Sequence, residues 1–269
     1  MGVRLITFAT REFRESADRL VRSAARFGLD CTVYTPAARL VRDLRRRHPV
    51  ISRARRGYGY WLWKPALVVH ELNRAADGDV IFYCDAGADF VADPAPLIDL
   101  ARRHEIVVFR HGPPASDWTR RDCFVLMGAD EERYWNAATA VSGYVLFRAG
   151  AAARAFATEW LEACSDPRIL TDAPNVMGKE NLPGFRDHRH DQSVIGILAE
   201  RHALPHFPDP SQYGYPHAGA TYGQVIDSHR SRTFTLRNRL GRATLPLRQS
   251  LIRASLALRR RLRGDRLPR

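Results

Sequence analysis

Apolar residues recur along the chain with two different spacings, and the alternation between them sets the expected architecture. Residues 3–9 (VRLITFA) form a short, mostly apolar run that predicts a buried strand. Residues 11–27 follow with Phe13, Ala17, Leu20, Val21, Ala24 and Phe27 at helical spacing, and Gly28 ends that helix. A second strand is predicted over 30–35 and broken by Pro36; a helix over 66–76 then leads into a third strand over 80–84 (VIFYC). Further along, helices are predicted over 94–103, 151–164 and 191–202, and strands over 105–109, 143–148 and 204–207. Strands alternating with helices predict an α/β fold with a mostly parallel central sheet and helices on both faces. Residues 165–190 lack periodicity and read as a long functional loop, with 175–185 as a candidate flexible lid.

Composition narrows the class. Hydrophobic residues make up 45% of the 269, too many for a disordered chain. No run approaches the ~18 apolar residues of a spanning helix, and the first apolar run is too short for a signal peptide. Cys31, Cys84, Cys123 and Cys164 are too far apart for zinc-type spacing and read as buried hydrophobes of a reducing compartment. The expected location is therefore the cytoplasm.

Charge divides the chain in two. The net charge is +13, but residues 230–269 hold 13 Arg and one acid, Asp265, for a net +12. Residues 1–229 carry only +1. The expected organisation is a body at 1–229 and an Arg-rich tail at 230–269. Within the tail, Leu247, Leu251, Ala254, Leu258 and Leu262 line one side of a basic helix, suited to an anionic membrane surface and hence to the inner face of the cell membrane. With no aromatic beyond Phe234 for base stacking, nucleic acid is the weaker partner. The Arg-rich stretch 39–56 reads as a solvated helix face.

Open α/β sheets bind ligands beyond the carboxyl ends of their strands. Thr7–Thr10, Tyr34–Thr35 and Asp85–Gly87 occupy such places. Lys64 and Lys179 are the only lysines, and Lys64 stands in Tyr60-Trp61-Leu62-Trp63-Lys64-Pro65 ahead of a helix. A fixed ammonium there suits a site where anionic charge develops. Asp191 precedes an apolar helix and is placed to act as its N-cap.

Four segments taken together, ITFAT, YGYWLWKPALVVHEL, GDVIFYCDAGADF and RHDQSVIGIL, resemble the bacterial glycosyltransferases with a GT-A, nucleotide-diphospho-sugar transferase fold. The resemblance covers roughly residues 3–215 and implies a GT-A-like fold. It also implies transfer of a sugar from a nucleotide-diphosphate sugar to a glycan or lipid-linked acceptor, in cell-surface polysaccharide or glycolipid synthesis. On that basis Thr7, Ala9 and Tyr34 lie near the nucleotide, and Lys64, Asp85, Ala86 and Gly87 near the diphosphate. Trp61 lies against sugar or base, and His190 and Gln192 touch sugar. Asp191 takes the acceptor hydroxyl's proton or, in a retaining enzyme, contacts the donor sugar. The family pattern reads Asp-any-Asp and binds a divalent metal, Mn or Mg. Here the third position is Gly87, leaving Asp85, Asp89 and a late histidine, His217, as candidate ligands. Two rivals are a nucleotidyltransferase, disfavoured because FATREFRE lacks a phosphate-loop glycine, and a non-catalytic binder of nucleotide-sugars or anionic surfaces.

Overall fold

The computed structural model describes residues 2–214 and 222–229. The tail at 230–269 with its membrane contact, and His217, lie outside the described residues.

Strand β1 (Val3–Phe8) runs into a 3-10 turn and helix α1 (Arg14–Ala25), which returns the chain to β2 (Cys31–Tyr34). Four helical segments follow: α2 (Arg39–Arg47), α3 (Pro49–Ser52), α4 (Gly57–Tyr60) and α5 (Trp63–Arg74). They lead to β3 (Val80–Cys84), β4 (Asp89–Phe90), α6 (Ala95–Arg103) and β5 (Ile106–Pro114). Two short helices, α7 (Arg121–Leu126) and α8 (Glu132–Trp135), precede β6 (Ala138–Arg148) and α9 (Ala151–Cys164). The described chain closes with α10 (Pro167–Leu170), α11 (Asp191–Arg201), β7 (Phe207–Pro208) and β8 (Ile226–Asp227).

The main sheet has the order β2-β1-β3-β6-β5-β7. Its strands all run one way except β6, which is antiparallel to both β3 and β5. Strands β4 and β8 form a separate antiparallel pair. The expected α/β fold with a mostly parallel sheet is the one found.

Period-2 alternation accounts for the layering. Ile6, Phe8, Ile81, Tyr83, Val145 and Phe147 face one side, packed with side chains of α5, α9 and α11. Leu5, Phe82, Cys84, Val107 and Leu146 face the other, against Leu20 and Ala24 of α1 and Leu97 and Leu100 of α6. With both faces covered, β3 reads as a continuous apolar run, which made it legible. Among the described residues no helix is long and apolar enough to cross a membrane.

Two strands are longer than their apolar runs predict. Beyond the end of β3, Phe109–His111 of β5 pair with Thr139–Val141 of β6, and Pro114 pairs with Ala138, with register shifts on both sides of the first stretch. This arm projects past the carboxyl edge of the parallel strands. Its sequence, Arg110-His111-Gly112-Pro113-Pro114, carries no apolar alternation because the arm is only partly covered. The strand expected at 204–207 is shorter and later, Phe207–Pro208. Helices α7 and α8, of 6 and 4 residues, are too short to establish a helical period.

Candidate functional site

Alternation along β3 decides the centre of the site. Tyr83 faces the α5 side, Cys84 the other, so Asp85 comes back to the α5 side just past the strand end. Lys64, in the first turn of α5, meets it there, with Nζ 3.5 Å from Asp85 Oδ1. Asp191, the first residue of α11, closes the group, its Oδ2 2.9 Å from the same ammonium. Lys64 also donates to Ser142 Oγ at 3.2 Å and lies 5.2 Å from the Tyr83 ring centroid. The Tyr83 hydroxyl donates to Asp85 Oδ1.

Burial splits these groups into an inner pair and an open carboxylate. The side chains of Lys64 and Asp191 are 2% and 4% exposed, whereas Asp85 is 39% exposed. Burial alone pushes the Lys64 pKa down, but the charges of Asp191 and Asp85 outweigh it and hold the ammonium above its ordinary value. Burial raises the Asp191 carboxyl above its ordinary value, with Lys64 and Ser142 pulling against that shift. Asp85 is held from behind by its own N–H, which donates to Gly143 O at 2.7 Å. A Cβ on Gly143 would lie 3.1 Å from Asp85 Oδ2, so a larger residue there would press the carboxylate outward by a few tenths of an ångström.

Next to this centre the backbone is strained. Gly57, Tyr58, Gly59, Tyr60 and Trp61 have φ of 56°, 53°, 93°, 51° and 60°, a left-handed turn held by Tyr60 N→Arg56 O at 2.9 Å and Trp61 N→Gly57 O at 3.1 Å. Left-handed helix costs L-residues roughly 1–2 kcal/mol each, so ring packing must hold the three aromatics in place. Trp63 stacks on Phe8 at 4.1 Å, and its Nε1 donates to Gly57 O at 2.9 Å. Trp61 and Tyr60 both rest on the His190 imidazole, at 5.5 and 4.8 Å. A Cβ on Gly59, at φ 93°, would lie 3.3 Å from Ser52 Cα. Gly59→Ala is therefore expected to cost about 1–2 kcal/mol in urea unfolding; an unchanged midpoint would show that the turn tolerates side chains.

His190 is the N-cap residue of α11, at φ 53° and ψ −119°, and Asp191 is not a cap but the first helical residue. His190 Nδ1 lies 2.7 Å from Leu170 O, so the ring is locked with its proton on that nitrogen. Its neighbour His188 is buried, accepting from Arg120 N at 3.3 Å and donating to Ile169 O at 2.8 Å. Burial lowers the His188 pKa to about 3. An unfolded chain takes up that proton near the ordinary value of about 6.5, while the folded chain refuses it, so stability falls as pH drops from about 6.5 towards 3. The expected slope is up to about 1.4 kcal/mol per pH unit per such histidine. Urea midpoints between pH 6.5 and 5 test this, and His188→Gln should flatten the curve.

The remaining expected residues are distributed as follows. Thr7 is fully buried, and Ala9 packs with Ala17 and Ala86. Gly87 and Gln192 are half-buried. The Tyr34 hydroxyl donates to Glu71, which also holds Arg4, so it is engaged on the α5 side of the sheet. Asp89 lies in β4 beside Arg19, at 3.8 Å, and His229, at 3.5 Å. The structure thus brings together Lys64, Asp85 and Asp191, with His190 and Trp61 alongside, and turns Asp89 to other partners. Ser142, Tyr83 and Gly143 also belong to the site; they read in sequence only as strand residues.

A divalent metal is tested by the same geometry. Asp85 Oδ1 is taken by Tyr83 and Lys64, Gly87 has no side-chain ligand atom, and Asp89 faces Arg19. Among the described residues no three of His, Cys, Asp and Glu gather as a metal site. Of the candidate ligands among the described residues, Asp85 alone lies at the end of β3 with its side chain partly open, and no step below passes through a metal.

The loop after α10 is strapped down. The Arg120 guanidinium donates to the carbonyls of Arg168, Ala173 and Pro174. Asp122 Oδ2 accepts from Val176 N at 2.6 Å, and Lys179 Nζ lies 2.7 Å from Asp130. A segment held at so many points does not have the loose backbone expected of a lid.

No protein-family model matches the sequence, and no curated protein matches it. Solved structures do. Mouse xyloside xylosyltransferase 1, in its apo form, superposes with a TM-score of 0.50 at 13% identity, covering 87% of this chain and 100% of that one. The apo-form glycosyltransferase GlyE of Streptococcus pneumoniae matches with a TM-score of 0.40 at 11% identity, over 86% of this chain and 55% of that one. The galactosyltransferase LgtC, in complex with donor and acceptor sugar analogues, matches with a TM-score of 0.36 at 12% identity, over 72% of this chain and 70% of that one. The chain has a mixed α/β fold of the GT-A glycosyltransferase type.

Proposed function

We propose that this chain is a glycosyltransferase that moves a sugar from a nucleotide-diphosphate sugar to a hydroxyl of a glycan or lipid-linked acceptor. The observation that carries the proposal is the Lys64–Asp85–Asp191 group at the carboxyl end of β3, on a fold shared with sugar transferases. In the reaction the glycosidic C–O bond breaks with its electron pair leaving on the diphosphate. The acceptor oxygen forms the new bond, and its proton passes to the departing diphosphate.

The residues divide the work by exposure. Asp85, the open carboxylate, accepts hydrogen bonds from hydroxyls of the donor and so orients the reacting carbon. Lys64, buried with its ammonium on Asp191, Asp85 and Ser142, acts through Asp85, holding that carboxylate in place from the interior. Asp191 stands behind Lys64; its assigned role is to position the ammonium and keep it charged, and this buried placement differs from the direct substrate contact that the resemblance implies. Trp61, resting on His190, offers an aromatic surface beside that centre.

Thermal-shift titration with UDP-, GDP-, CMP- and dTDP-sugars, with and without manganese, tests the proposal. A rise in midpoint with one nucleotide family is the expected result, followed by release of the corresponding nucleotide when acceptor is added. No response to any nucleotide would remove the reading and favour an anionic-surface binder.

A further inference from the structure

The face of the sheet opposite α5 carries a second polar network. His111 lies on the β5 arm that projects past the end of β3, and its Nδ1 is 2.8 Å from Asp209 Oδ2. Asp209 is fully buried. Its other oxygen accepts from the Tyr144 hydroxyl at 2.5 Å and from Ser211 N at 2.8 Å. Tyr144 stands opposite Cys84 in the β3–β6 ladder, one residue from the Gly143 carbonyl that holds Asp85. The network therefore adjoins the site described above, across one strand of the sheet.

Taking a carboxylate out of water is costly unless donors surround it. Burial pushes the Asp209 carboxyl up, yet His111, Tyr144 and Ser211 together hold it below its ordinary value, so it is ionised. His111 Nδ1 and Asp209 Oδ2, 2.8 Å apart, are paired by proximity and charge rather than by an aligned hydrogen bond. The buried carboxylate beside Nδ1 leaves Nε2 as the ring nitrogen available to a ligand, the arrangement used to present a histidine to one. The His111 side chain is 24% exposed. The Tyr213 ring lies over it at 6.3 Å and 28°, and is itself 51% exposed.

We propose that His111 and Tyr213 form a sugar-binding subsite, in which His111 Nε2 forms a hydrogen bond with a saccharide hydroxyl and the Tyr213 ring packs on the sugar's C–H face. The inference rests on the transferase reading above. A ring nitrogen beside a half-open aromatic ring matches the mixed polar and apolar surface of a sugar ring. The place is the carboxyl-terminal stretch of β5, the edge where open α/β sheets receive ligands. The hydroxyl belongs either to the nucleotide donor or to the acceptor.

The test is long-range proton–nitrogen NMR of the full chain labelled at histidine, with His111→Gln identifying the His111 signals. The probes are the methyl glycosides of glucose, galactose, mannose and xylose, and separately UDP, GDP, CDP and dTDP. A saturable shift at His111 Nε2 is expected, and Tyr213→Ala, a change at a half-exposed side chain, should raise the apparent Kd about five- to tenfold. Shifts with glycosides alone place the acceptor sugar there, and shifts with nucleotides alone place the donor there. His111 signals unmoved by every probe overturn the subsite. If a nucleotide diphosphate still raises the thermal midpoint in those samples, the transferase reading survives that result; if none does, both fail together.

Discussion

Lys64→Met is expected to lower the unfolding free energy by about 3–5 kcal/mol, because it removes one partner of a buried ion pair and leaves the other. Asp191, 4% exposed, would keep its carboxylate in the interior with only Ser142 for company. It must then either protonate or draw in water. The loss is a large fraction of the 5–15 kcal/mol that holds a typical domain folded. Combining Lys64→Met with Asp191→Asn removes both charges and should restore part of the loss, so the double variant is expected to be more stable than the single one. Urea unfolding followed by tryptophan fluorescence measures all three. A single variant within about 1 kcal/mol of the parent would mean that the pair does not brace the fold.

Asp85→Asn is expected to do the opposite, leaving the fold intact and stopping the chemistry. The side chain is 39% exposed, so its charge is screened and its removal should shift stability by no more than about 1 kcal/mol. Asparagine keeps the size and can still accept from the Tyr83 hydroxyl. What it loses is the negative charge that holds donor hydroxyls and faces Lys64. Losing a positioned polar contact at a reacting centre commonly reduces turnover by about 10²–10³-fold. The expected result is therefore a fall of that order in transfer rate at an unchanged thermal midpoint. Full turnover by the variant would remove Asp85 from the site.

The elements of this site differ in how plainly the sequence announces them. Val80–Cys84 is an uninterrupted apolar run ending in an acid, so both the strand and Asp85 are readable. Lys64 stands out because one other lysine exists in an arginine-rich chain. That Lys64 and Asp191 are internal partners was not readable. They stand 127 positions apart and are brought together by two helices on the same face of the sheet, and pattern alone does not assign faces to helices. The Tyr60–Pro65 segment reads as the start of a helix, yet its first two residues, with residues 57–59 before them, wind left-handed, because tertiary packing against Phe8 and His190 overrides local preference. The β5–β6 arm was hidden for a related reason: its pairing is backbone-driven, and its side chains lack the alternation that a buried strand shows.

The left-handed turn separates folding of the sheet from completion of the site. An unfolded chain scarcely samples five successive left-handed residues, three of them aromatic, and nothing in residues 57–61 nucleates that geometry by itself. Its rings rest on Phe8 and His190, which come from other parts of the chain, so its geometry depends on tertiary packing. A preparation can then show full secondary structure by circular dichroism while the aromatic wall beside Lys64 is unmade. For this protein, native-like helix and strand content is not a certificate of a competent site, and the fluorescence of Trp61 and Trp63 reports on it more directly than the backbone does.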